Sequence, residues 1–159
     1  MRIYSGGTSY LNRYNSARST LIAVVLFTAI NIVLNYLDAG YYLVFCAAIP
    51  YYIVDLAKGL TGHYPPEFYE QGFEPLPDAV YYAAIAVAAV ITLIYLVFWI
   101  ASSKGRYGWL IAALVFFIVD TVGLYFLYGF DTSMILDYVV HVVIIITMIA
   151  GVVNAIKEG

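Results

Sequence analysis

The chemistry of this chain lies in a few polar side chains that interrupt otherwise apolar runs. Asp137 and His141 stand four residues apart, a spacing that puts both on one face of a helix. Asp120 sits near the middle of another apolar run. A central aspartate in a spanning helix costs roughly 2.5–3.5 kcal/mol on an insertion scale, so it calls for a partner or for water. His141 is the natural partner. The turn between the two runs centres on Phe130–Asp131, and Asp120 and His141 lie about equally far from it on either side. In an antiparallel hairpin, equal distances from the turn mean equal depth. Asn31 and Asn35 repeat the four-residue spacing in the first run, with Thr28 on the same side, and Asp55 lies in the second.

Three kinds of chemistry fit these residues. Asp120, Asp137 and His141 offer an oxygen and nitrogen set that suits zinc, manganese or iron(II). That signal is weak, because Asp-x3-His is far less specific than His-Glu-x-x-His. Carboxylates beside an imidazole also build proton relays in membrane proteins. The plainest alternative is structural glue, since polar bonds between membrane helices contribute only about 0.6 kcal/mol on average. On that view Asp137 favours a helix N-terminus, and Asn31 and Asn35 join helices. The candidates for holding a ligand or moving protons are therefore Asp120, His141, Asp137, Asp55, Asn31 and Asn35. His63, Glu67 and Glu70 are further candidates in the loop beyond the second run. No organic cofactor is expected, and a divalent metal is the one cofactor the pattern allows.

The elements that must position these groups follow from composition. Of 159 residues, 64% are apolar and 11% charged, against about 25% charged in a soluble domain. The mean hydropathy is +0.90. These values exclude a disordered chain, a coiled coil, a collagen-like fibre and a disulfide scaffold, and argue strongly against a soluble globule. One cysteine, Cys46, excludes a dithiol redox centre. Five segments approach membrane-spanning length: 20–37, 41–60, 79–102, 109–128 and 134–156. All five read as helical, because lipid offers no partner to an open backbone. The first follows Arg13 and Arg18 and reads as a retained span rather than a cleaved signal. The second is interrupted by Pro50, Asp55 and Lys58. The acidic, aromatic loop 61–77 holds four prolines, with a short interfacial turn expected over 65–72. Asp78 reads as the N-cap of the next helix.

Counting basic residues decides between topologies. Five full spans divide the seven basic residues four to three. If 41–60 enters and returns on one side, six are cytoplasmic and only Lys58 is external. The expected fold is thus an all-α, single-domain integral membrane protein: four antiparallel transmembrane helices plus a fifth, broken or re-entrant segment, with five full spans as the alternative. A basic arm, 1–19, and the C-terminus would be cytoplasmic, most naturally at the plasma membrane. Tyrosines gather at one interface of this arrangement and Trp99, Tyr107 and Trp109 at the other, whereas Tyr51 and Tyr52 fit neither. The polar candidates would converge on one pocket open to the outside.

Three functions follow from that picture. The first is handling of a solute, ion or proton. The second is an accessory or interaction protein whose polar cluster only packs helices. The third is an intramembrane metal-assisted enzyme, for which no nucleophile or strong ligand motif is present. The expected partners are the lipid bilayer and, through small-x3-small pairs such as Gly151-x3-Ala155, a second copy or another membrane protein. The charge balance gives no reason to expect nucleic acid.

Overall fold

A computed structural model describes residues 6–129 and 131–158. Arg2, in the basic arm, and Phe130, at the expected last turn, lie outside the described residues. Five α-helices follow in order: α1 (Gly6–Tyr36), α2 (Ala48–Leu60), α3 (Asp78–Ala101), α4 (Tyr107–Tyr128) and α5 (Ile135–Glu158). Among the described residues there is no strand. Helices α1, α3, α4 and α5 are long and apolar enough to cross a membrane; the stretches concerned are Asn12–Tyr36, Asp78–Ala101, Tyr107–Tyr128 and Thr132–Lys157.

The second apolar segment, expected to be broken or re-entrant around Pro50, is helical only in its later part. Residues 41–47 bend without helical structure, and only Ala48–Leu60 is helical. Thirteen residues make a rod of about 20 Å, short of the roughly 30 Å hydrocarbon core. The break lies ahead of Pro50. That proline occupies the first turn of α2, where its missing N–H would have had no helical acceptor anyway. Two boundaries also differ. The basic arm is helical from Gly6, so α1 runs for 31 residues. Asp78 is the first residue of α3 rather than its cap: Pro77 holds the cap position, and no side chain bonds the first amides. Its carboxylate still stands at the positive end of the helix dipole.

The ends of the helices fix the layout. At one end, the Tyr14 hydroxyl donates to the Ser102 carbonyl, and Arg18 Nε donates to Ser102 Oγ at 3.2 Å. The Arg18 guanidinium also lies over the Trp99 ring, 5.5 Å from its centre. The start of α1 therefore sits beside the end of α3. It also meets the end of α5, where a Cβ on Gly151 would come within 2.4 Å of Ala17 Cβ and 3.1 Å of the Arg13 carbonyl. Only glycine permits that approach. We call this the far end.

The opposite, loop end carries residues 61–77, clasped where the Leu76 amide donates to the Leu60 carbonyl at 2.9 Å. The expected turn over 65–72 is a single 3-10 turn at Pro66–Phe68. At the α4–α5 connection, the Ser133 amide donates to the Asp131 carboxylate at 2.9 Å and holds that carboxyl below its usual range. The chain thus leaves α1 at the loop end, dips into the bundle through 41–47, and returns to the loop end along α2. Fully buried Leu21, Val24, Leu110, Phe117, Ile144 and Met148 form the core. Leu26, Val33, Val90, Leu93, Val119 and Ile146 face outward and are more than half exposed, an apolar surface that a water-soluble monomer rarely presents.

Candidate functional site

The polar residues inside the helices fall into two groups. The deeper group serves the dip. Asp120, 3% exposed on α4, reaches the first turn of α2: Oδ2 accepts from the Ala48 amide at 2.8 Å and Oδ1 from the Ile49 amide at 2.9 Å. It caps a helix that belongs to a different part of the chain and meets the dipole's positive end with a carboxylate. Thr28 Oγ1 accepts from the Ala47 amide at 2.8 Å while donating to the Val24 carbonyl. Asn31 pairs with both backbone groups of Leu43, donating to its carbonyl at 2.7 Å and accepting from its amide at 2.9 Å. Three side chains thus satisfy five backbone groups where the chain is not helical or a helix begins.

His141 completes this group. Its Nδ1 lies 2.8 Å from the Asp137 carbonyl, which can only accept, so Nδ1 carries the hydrogen. Its Nε2 lies 3.4 Å from Asp120 Oδ2, an attractive contact only with a proton between the two atoms. The ring is fully buried and stacks on Phe117 at 4.9 Å between centres. Equal depth on α4 and α5, expected from the turn, is what the structure presents.

The second group lies at the loop end. Asn35 Nδ2 donates to Asp55 Oδ1 at 3.0 Å, and the Tyr64 hydroxyl donates to the same oxygen at 2.6 Å. Burial, together with that carboxylate, pushes the Tyr64 hydroxyl above the ordinary tyrosine range and keeps it a donor. Lys58, 5% exposed, bonds the Asn35 carbonyl at 3.0 Å and pairs with Asp38, not with Asp55. Asp38 adopts a left-handed φ of 54°, which bends the chain as it leaves α1. These groups line a cleft of about 320 Å³, which Tyr42 and Tyr51 also wall. Tyr51 and Tyr52, which fitted neither interface, belong to the first turns of α2. Tyr52 packs against Tyr128 with the rings tilted by 45° and their centres 4.6 Å apart.

No protein-family model, curated protein or solved structure matches this chain.

The single pocket expected from the sequence is therefore divided. Asn31, Asp120 and His141 surround the dip; Asn35 and Asp55 face the cleft. Asp137 stands near the start of α5, buried, with Oδ1 lacking a hydrogen-bond partner. Among the described residues no group of three or more His, Cys, Asp or Glu side chains is arranged to hold a metal ion. In the loop, His63 stacks on Tyr81 at 4.6 Å and its Nδ1 is 2.8 Å from Thr61 Oγ1, which ties it to α2 and α3. Glu67 and Glu70 are exposed, with no ion pair among the described residues. Sequence reasoning missed Asp38 and Tyr64, and the pairing of Lys58 with Asp38. One signal was available: Lys58 is the only cation within the apolar segments, so it required a nearby acid.

Proposed function

We propose that this chain is a small membrane protein that handles a polar solute or ion at the loop-end cleft. The half-helix α2 carries this reading. It begins deep in the bundle on a buried carboxylate, returns to the loop end, and presents Asp55 to an open polar cleft. Short helices that stop within the bilayer, beside a polar cavity, are how carriers build binding sites. On this reading 41–60 is re-entrant. A second reading, that the polar residues only hold helices together, is favoured for the deeper group by one observation: both Asp120 oxygens are committed to the dip. We therefore assign the deeper group to architecture and the cleft to function.

The basic residues orient the protein. Among the described residues, Arg13, Arg18, Lys104, Arg106 and Lys157 belong to the far end, and Lys58 alone to the loop end. With basic residues cytoplasmic, both termini face the cytoplasm and the cleft opens outside, at the plasma membrane. In intact cells, a cysteine replacing Glu70 should react with an impermeant maleimide. Cysteines replacing Arg13 and Lys104 should react only after permeabilisation. Labelling of Arg13 and Lys104 positions from opposite faces would defeat the re-entrant topology.

The solute reading is tested by thermal unfolding of the detergent-purified protein against a panel of small cations, anions, zwitterions and neutral solutes. At least one class should raise the melting temperature in a concentration-dependent way, since binding to the folded state alone stabilises it. Asp55→Ala should abolish the shift. A panel that leaves the melting temperature unchanged throughout removes the reading and leaves the helix-packing role.

A further inference from the structure

The cleft has a charge and a pattern of acceptors that name the class of solute, given the solute-handling reading on which this step rests. Three ionisable side chains other than tyrosine line it: Asp38, Asp55 and Lys58. Lys58 is neutralised by Asp38 and further held by the Asn35 carbonyl. Asp55 has no cationic partner among the described residues. Its Oδ1 takes donors from Asn35 and Tyr64, whereas its Oδ2 takes none among the described residues. Asn35 is 7% exposed, and its Oδ1 is buried without a hydrogen-bond partner. Buried acceptors are almost always satisfied in folded proteins, so the unpaired amide oxygen of a cleft-lining residue is one that an incoming donor would satisfy on a small side-chain adjustment. Tyr41, Tyr42, Tyr51 and Tyr64 also line the cleft, beside Leu34, Ala39 and Gly40. Aromatic faces attract cations through the ring quadrupole, and Lys58 already lies 5.6 Å from the centre of the Tyr64 ring.

We infer that the cleft binds a small organic primary ammonium. Its positive charge would face Asp55 Oδ2, one N–H would reach Asn35 Oδ1, and its carbon skeleton would lie against Tyr42 and Tyr51. Two alternatives fit less well. An anion would meet an unpaired carboxylate and a lysine whose charge is already taken. A bare alkali ion would leave most of the volume empty, because about 320 Å³ lies at the lower end of small-molecule pockets of roughly 300–1,000 Å³.

Isothermal titration of the purified full chain in neutral detergent tests this. The probes are butylammonium, tetramethylammonium and potassium as chlorides, sodium butyrate, and butanol. Butylammonium should bind at least tenfold more tightly than potassium, butyrate or butanol. Tetramethylammonium, which has no N–H to donate, should bind several-fold more weakly than butylammonium. Asp55→Asn should weaken butylammonium at least tenfold, and Tyr51→Leu several-fold, each with the far-ultraviolet spectrum and melting temperature retained. A variant that fails to fold is replaced by Asn35→Leu, which removes the unpaired oxygen and should weaken butylammonium likewise. Preferential binding of butyrate, butanol or potassium would overturn the ammonium assignment and leave the solute reading standing. Binding of none of them, in a protein that answers to no solute in the thermal panel, would overturn both. Equal binding by wild type and Asp55→Asn would also overturn the assignment.

Discussion

Asp120→Ala should lower the unfolding free energy by about 3–5 kcal/mol, because it strands two buried amides and leaves His141 beside a void. The amides are those of Ala48 and Ile49, which have no other acceptor among the described residues. Unfolding by SDS in mixed micelles measures the loss. Asp120→Asn separates charge from shape. It fits the same space but has one acceptor oxygen where two amides need one each, so it should fall between wild type and alanine. The only cysteine supplies a local readout. Cys46 lies in the dip, fully buried, and should resist maleimide in the folded protein. In Asp120→Ala it should become reactive under conditions where the four long helices remain intact. An Asp120→Ala protein as stable as wild type, with Cys46 still protected, would disprove the capping role.

Asn31→Leu should cost about 2–4 kcal/mol by the same measurement, since it leaves both backbone groups of Leu43 without their partner. Leucine is close in size to asparagine, so the change tests hydrogen bonding more than packing. Asn31→Asp makes the complementary test. It can still accept from the Leu43 amide but can no longer donate to the carbonyl, and it adds a charge beside a peptide oxygen. It should therefore be no better tolerated than leucine. A stability unchanged by Asn31→Leu would mean that water or another group satisfies Leu43, and the dip would need a different account.

Much of this architecture was legible in the sequence. Four long helices follow from the length of the apolar runs, and the equal depth of Asp120 and His141 follows from their equal distance to one turn. The broken second segment was signalled by the placement of basic residues and by Pro50, although the proline misplaced the break. Pro50 lies inside α2; the irregular chain is 41–47, a run of apolar residues whose composition suits a buried helix equally well. What distinguishes it is supplied from elsewhere, by Thr28, Asn31 and Asp120. No window along 41–47 contains that information. For the same reason the polar residues looked like one pocket. Sequence gives their depth but not their partners, and backbone amides are invisible as partners until the chain is known to be non-helical there. Asp38 was hidden for another reason: it lies past the end of α1, and only its left-handed turn brings it back to Lys58.

The cap on α2 also sets a timetable. Ala48 waits for a carboxylate that lies 72 positions later in the chain. While the protein is being made, α1 and the dip emerge well before α4, and an amide without a partner in hydrocarbon costs several kcal/mol. If the chain inserts as proposed, residues 41–49 are better placed near the headgroups until α4 arrives, where water can serve their amides. On the membrane topology proposed above, the second segment to be synthesised thus settles only after α4 has arrived.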